Sequence, residues 1–201
     1  MNKFNKKLII FCGPSGVGKG TIERYLFNNS ELKLSLSISV TSRLPREGEI
    51  EGVHYFFISK EDFKEKIREN KLIEYSKHFN NYYGTLKEQV DKIIANGSIP
   101  LLEIETNGAR KIIEENEITN EYDIISIFVH APDMKELENR IRNRNTESED
   151  SIRLRLEKAK SEIRESGLFQ YHVTNHTPQQ AASEIVKIIL KHIKESDIFD
   201  A

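Results

Sequence analysis

The apolar positions of this chain fall in short runs separated by polar, helix-like stretches. KLIIFC, 7–12, is an unbroken apolar strand that runs straight into glycines, and TIERYLF, 21–27, continues as a helix with Ile22, Leu26 and Phe27 on one side. SLSISVTS, 35–42, alternates strictly. Leu36, Ile38 and Val40 oppose Ser35, Ser37, Ser39 and Thr41, which predicts a half-buried strand with one hydroxyl face. HYFFIS predicts a short strand, and SKEDFKEKIREN a helix capped by Ser59 with Asp62 at the box position. LIEYSKHF predicts a further strand, and NNYYGT a tight turn at Gly84.

The second half alternates regularly. SIPLLEIE is an apolar strand ending in acids, NGARKIIEEN a helix, YDIISIFVH a strand buried on both faces, and DMKELENRIRNR a helix. A helix from about residue 150 carries Ile152, Leu156, Ala159 and Ile163 on one stripe. YHVTN precedes a last helix that opens at Thr177 and Pro178, with Gln180 completing a capping box. This alternation predicts an α/β fold with a parallel sheet. Two stretches break it, the strand-rich 35–84 and the arginine-rich 139–155. Both read as insertions over the carboxyl ends of the strands, where such sheets bind ligands.

Composition narrows the function classes. The 201 residues suffice for one substantial core, and a net charge of −2 offers no general basic surface for nucleic acid. The single cysteine, Cys12, excludes an intramolecular disulfide and reads as a small buried hydrophobe at the end of an apolar run. The lysines before the run 8–12 resemble a signal peptide, but that run is too short for one. No apolar stretch reaches bilayer length, so the expectation is a soluble cytoplasmic protein without a membrane partner.

The candidate chemistry begins at FCGPSGVGKGT, 11–21. Gly13, Gly18 and Lys19 occupy the phosphate-loop positions of G-x-x-x-x-G-K-[ST], between a strand and a helix as that loop requires. Inward backbone N–H groups and the helix's positive end suit phosphate, and Lys19 supplies a mobile charge for the β- and γ-phosphates. Gly20 stands where a magnesium-binding hydroxyl is usual, and Thr21 comes one residue late. The cradle is backbone and lysine, so phosphate binding survives. The magnesium shell then falls to waters, with possible hydroxyl help from Thr21.

Further along, Arg43 and Arg46 flank Leu44 and Pro45. Two guanidinium forks three residues apart suit a monophosphate, although two solvated arginines would look the same. Glu74 lies among apolar neighbours. It reads either as an ion-pair partner or as an acceptor for the paired N1–H and N2–H₂ donors of guanine. Adenine has a lone pair at N1 and would repel it. Glu103 and Glu105, two apart at a strand end, share one face and suit magnesium waters or a salt bridge. Arg140 and Arg144 share a helix face, with Arg155 beyond the polar break. They read as a solvated basic face, or as a clamp on a transferring phosphoryl group.

Five segments in order, GPSGVGKGT, TSRLPREGEIEGVHYFF, LIEYSKHFNNYYGT, LLEIETNGAR and RNTESEDSIRLRL, make the chain resemble the guanylate kinase family from about residue 7 nearly to its end. The resemblance implies a P-loop kinase fold with a parallel central sheet flanked by helices, a small mixed GMP-binding insertion and a helical lid. It implies a core of 1–34, 86–138 and 156–201, a GMP-binding domain of 35–85 and a lid of 139–155. It implies transfer of the γ-phosphoryl group of ATP to GMP, and also to dGMP, with Mg²⁺ entering on ATP, by a monomer or homodimer.

Carried over by position, Gly13, Pro14, Ser15, Gly16, Val17, Gly18, Lys19, Gly20 and Thr21 would hold ATP, and Asn175 would lie near the adenine. Ser39, Glu74 and Thr85 would read the guanine, and Arg43, Arg46, Tyr55 and Tyr83 would hold the GMP phosphate, with Glu103 and Glu105 beside them. Lys19, Arg43, Arg140, Arg144 and Arg155 would be the catalytic cations, and Thr21 or Glu103 would help the magnesium shell. The chain departs from the usual pattern at Gly20, Glu105, Asn107, Asn145 and His176, none of which removes a charge the reaction needs. Three rival readings are a family-like binding module without catalysis, a kinase for another nucleoside monophosphate, and a GTPase. ETNG mimics a GTPase motif, but no N-K-x-D guanine motif accompanies it.

Overall fold

A computed structural model describes residues 6–78, 80–143 and 148–199. The described chain divides into two compact units, Met1–Ile9 with Ser35–Ile124, and Ile10–Leu34 with Ile125–Ala201. The first strand, β1 (Lys7–Cys12), contributes to both.

In the first unit, β2 (Leu34–Leu36) and β7 (Ile99–Glu103) continue from β1 in the sheet order β2-β7-β1. A separate four-stranded sheet has the order β4-β3-β6-β5, made of β3 (Val40–Thr41), β4 (Phe56–Phe57), β5 (Leu72–His78) and β6 (Asn81–Leu86). Helix α2 (Lys60–Arg68) packs Phe63 onto this sheet beside Val40 and Leu72. Its cap is as predicted. The Ser59 hydroxyl accepts from the Asp62 backbone N–H at 3.0 Å and donates to Asp62 Oδ2 at 2.7 Å. Helices α3 (Lys87–Ala95) and α4 (Thr106–Thr119) complete the unit. α3 is absent from the elements predicted above, although Val90 and Ile93 form its buried face.

Two expectations are corrected here. The alternating run 35–42 is two strands, not one. β2 joins one sheet, where the Ser37 backbone N–H donates to Leu101 O at 2.9 Å, and β3 joins the other. Alternation fixes which side chains share a face but not which sheet they face. The tight turn expected at Gly84 is also displaced. Gly84 sits inside β6, paired with Val40 and Tyr75, and the left-handed residue is Asn80, at φ 68°.

In the second unit the order is β1-β8-β9, with β8 (Asp123–His130) parallel to β9 (Tyr171–Thr174). The buried strand expected at β8 is present, since Ile125, Ile127, Phe128 and Val129 have no exposed surface. Ser126, among them, exchanges hydrogen bonds with Gln170 at 3.0 Å each way. Around the strands lie α1 (Lys19–Phe27), α5 (Met134–Arg142), α6 (Glu149–Arg164) and α7 (Pro178–Phe199), with a 3₁₀ turn at Ser166–Leu168. Caps fix three of these starts. Asp133 accepts from the Glu136 N–H at 2.7 Å, Ser148 from Ser151 at 3.3 Å, and Thr177 from Gln180 at 3.3 Å.

Candidate phosphate and base sites

The glycine loop joins β1 to α1 in the second unit. Gly18 is the residue before the first turn of α1 and sits at φ 100°, where a side chain is strained. Space forbids one as well, because a Cβ there would lie 2.7 Å from Asn175 Nδ2. Asn175 follows β9 and is buried. Its Nδ2 donates to Val17 O at 2.7 Å, and its backbone N–H donates to His130 O at 2.8 Å. Its Oδ1 is buried without a partner, an acceptor held beside the loop. Lys19 Nζ reaches back to Gly13 O at 2.6 Å.

Two of the three predicted clamp arginines meet this loop. Arg140, on α5, donates to Val17 O at 3.3 Å and Asn175 O at 3.1 Å, and its Nε pairs with Glu136 at 2.8 Å. Arg155, on α6, donates to Ser15 Oγ at 3.2 Å. Arg144 and Asn145 lie outside the described residues. Gly20 is exposed, and beyond its chain neighbours and its own helix backbone no atom lies within 4 Å of where its Cβ would be. The usual hydroxyl position is therefore open to solvent. Thr21 Oγ1 accepts from Arg24 at 3.4 Å.

The first unit holds the second constellation. Arg43 leaves β3 with its backbone N–H on Thr41 Oγ1 at 3.2 Å, and Thr41 is itself tied to Tyr82 O at 2.9 Å. The Arg43 guanidinium is gripped by Glu49 in a two-point fork, both bonds 2.8 Å. It lies 5.3 Å from the centre of the Tyr55 ring, and Tyr55 meets Tyr83 edge-on at 6.0 Å. The Glu49 bonds and the Tyr83 hydroxyl hold Arg43 well above its ordinary pKa, and Arg43 holds Glu49 down at about 2. Burial, then the nearby charge of Glu103, raises the Tyr55 pKa. Arg46 is exposed, and its backbone N–H bonds Glu49 Oε2 at 2.7 Å. Sequence reasoning missed Glu49. The signal was an acid three residues after Arg46 across a glycine, a turn that closes with the Glu49 N–H on Arg46 O at 3.0 Å.

Glu74 lies on β5, cross-strand from Thr85 on β6, and is 6% exposed. Its Oε1 accepts from the Thr85 hydroxyl at 2.9 Å. Burial pushes its carboxyl up to about 7. Thr85 and Lys111 pull the other way, and Glu105 adds to the rise. Lys111, which the sequence did not single out, donates from α4 to Tyr75 O at 2.7 Å. Glu105 occupies the position just before α4, without a side-chain cap bond, whereas Glu103 ends β7, so the pair expected on one strand face is split between a strand and a helix start. Ser39 lies between β2 and β3, and its carbonyl accepts from the Phe56 N–H at 2.9 Å. Tyr83 and Thr85 are two apart on β6 and share a face. A buried acceptor therefore stands about 7 Å along one sheet face from a ring packed beside an arginine. Chemically, such an arrangement could take hydrogen-bond donors at one end and an anion at the other.

The chain is similar to known proteins over nearly its whole length. The family model described as "Guanylate kinase" matches residues 5–192. Guanylate kinase of Mycoplasmopsis pulmonis is 51% identical over 191 residues, covering 95% of this chain and 97% of that protein. That of Mycoplasmopsis synoviae is 50% identical, covering 96% and 98%. A crystal structure of guanylate kinase from Anaplasma phagocytophilum, 28% identical, superposes with a TM-score of 0.72 over 92% of this chain and 85% of that one.

Proposed function

The chain belongs to the guanylate kinase family, and from that premise we propose how its residues carry out the reaction of an ATP:GMP phosphotransferase, which yields ADP and GDP. The observation that carries the reading is the buried Glu74 with its Thr85 partner on the same sheet face as Tyr83, next to the Arg43 cluster. An ionised Glu74 accepts guanine N1–H and N2–H₂ together, steadied by the Thr85 hydroxyl, whose one proton goes to Glu74 Oε1, and Ser39 supplies a hydroxyl for O6 or N7. Arg43, Arg46, Tyr55 and Tyr83 hold the phosphate, with Glu49 orienting Arg43 until the substrate arrives. dGMP presents the same base and phosphate and is a second acceptor.

On the donor side the glycine loop cradles the ATP phosphates, and Lys19 moves from Gly13 O to them. Phosphoryl transfer has little covalent chemistry for side chains to perform, so positioning and charge do the work. Arg140 and Arg155 already touch the loop and, with Arg144, neutralise charge on the transferred group. Asn175 Oδ1 is an acceptor suited to an amino group such as that of adenine. In domain terms, 1–34 with 86–138 and 156–201 is the core, 35–85 receives GMP, and 139–155 closes as a lid. Among the described residues no group of three or more His, Cys, Asp or Glu side chains could hold a metal. Mg²⁺ would arrive on ATP and be held by phosphates and waters, with help from Thr21 or Glu103. The ion, when bound, offsets charge on the β- and γ-phosphates. No described helix is long and apolar enough to cross a membrane. We place the enzyme in the cytoplasm, with its nucleotide substrates.

The test is a coupled ADP-release assay with ATP and each of AMP, GMP, CMP, UMP and dTMP. Turnover with GMP far above the others is expected. ATP binding without turnover would instead fit a binding module.

A further inference from the structure

We infer that Gly108 is a positioning residue for guanine selectivity, the gap left by its missing side chain being the seat of the Glu74 carboxylate. The inference rests on Glu74 reading the base. Gly108 lies in the first turn of α4 and is helical there, so no left-handed backbone requires glycine. Alanine is the better helix former at such a position. The reason for glycine is the neighbour. A Cβ at 108 would lie 2.6 Å from Glu74 Oε2, 3.1 Å from its Cδ and 3.5 Å from its Cγ. By contrast Gly20, Gly97 and Gly167 face open space.

The carboxylate cannot step aside cheaply. Its other oxygen is bonded to Thr85 at 2.9 Å, and the residue is buried. The helix cannot back away cheaply either. Lys111, one turn on, is bonded to Tyr75 O at 2.7 Å and lies 4.7 Å over the Tyr75 ring. α4 is thus tied to β5 one residue from Glu74. A methyl at 108 therefore swings the carboxylate off its seat and spoils the two-point match to N1–H and N2–H₂. The phosphate cluster around Arg43 is untouched. Since AMP makes no use of that match, its turnover should change little.

The experiment compares wild type, Gly108→Ala, Glu74→Asp and the double variant for kcat and KM with ATP, GMP and AMP. Gly108→Ala should raise the GMP KM and lower the GMP-to-AMP ratio of kcat/KM by about tenfold or more, with the ATP KM unchanged. A merely structural role would lower both acceptors together. Aspartate draws the carboxylate back by about one C–C bond, roughly 1.5 Å. The double variant should therefore regain selectivity relative to Gly108→Ala. If Gly108→Ala does not fold, the double variant still should, with circular dichroism as the check. An unchanged ratio in Gly108→Ala, or a double variant that neither folds nor recovers, overturns the inference. Glu74→Gln separates the two claims. If it collapses the ratio and Gly108→Ala does not, only the role of Gly108 fails. If it leaves the ratio unchanged, base reading by Glu74 fails and the inference with it.

Discussion

Replacing Glu74 by glutamine tests base recognition with almost no change in shape. The wild-type carboxylate is buried and can accept two guanine N–H donors at once. Each hydrogen bond to a charged group contributes roughly 1.5–3 kcal/mol. Glutamine keeps one acceptor and turns an amide donor toward a guanine donor, so one such bond goes and a mismatch replaces it. The loss is about 3 kcal/mol, or about 10²-fold in kcat/KM for GMP. AMP moves the other way, because the charge that repels its N1 is gone. The wild-type preference for GMP, expected at roughly 10³-fold or more, should shrink markedly.

The same substitution has a pH signature. Burial lifts the Glu74 pKa from 4.5 to about 7, so below that pH the free protein carries a neutral carboxyl, which cannot accept both donors. Wild-type kcat/KM for GMP should climb as pH rises through about 7 and then level. The second ionisation of the GMP phosphate, near pH ~6, adds a slope of its own, but the variant shares it. The difference between the two profiles isolates Glu74. Arg43 and Glu49 contribute no step there, since Glu49 stays ionised until pH falls to about 2. Stability follows the opposite sign. A carboxyl whose folded pKa lies above its unfolded value favours the fold when protonated. Its contribution is full below about pH 4.5 and is lost as pH rises through 7, a swing of roughly 3 kcal/mol. Glu74→Gln should therefore melt higher than wild type at pH 8 and near wild type at pH 5, by scanning calorimetry. An unchanged GMP-to-AMP ratio together with an unchanged pH profile would refute the assignment.

Lys19→Met should fold as wild type and lose orders of magnitude in kcat, because no other group replaces its charge at the phosphates. Near-native turnover would contradict that role. Glu49→Gln breaks the two-point fork that orients Arg43 and should raise the GMP KM about tenfold while leaving the ATP KM alone. Equal effects on both KM values would argue against it. Hydrogen exchange over 139–155 should slow when ATP and GMP analogues are added together, as expected of a lid, and unchanged exchange would rule out closure.

The parts of this fold written in local sequence were legible. A strand, glycines, a lysine and a helix follow in the order the pattern predicts, and the caps at Ser59 and Thr177 sit where the pattern put them. Glu74 stood out as an acid among apolar neighbours. What depended on distant pairing was not legible. Strand alternation in 35–42 could not tell that two sheets divide it. Gly84 reads in the sequence as a turn signal, whereas Asn80 carries the left-handed backbone. Glu49 could be assigned to Arg43 only once the loop had closed, and Gly108 acquires meaning only from a side chain more than thirty residues away.

The most direct measurement is a competition. γ-Labelled ATP is incubated with Mg²⁺, the enzyme and an equimolar mixture of AMP, GMP, CMP, UMP and dTMP, and the labelled products are resolved. Because acceptors compete in one vessel, the label divides among them in proportion to kcat/KM. The account predicts that nearly all of it appears as GDP, with little inorganic phosphate. Label spread evenly over the diphosphates, concentrated in another one, or released as inorganic phosphate would contradict it.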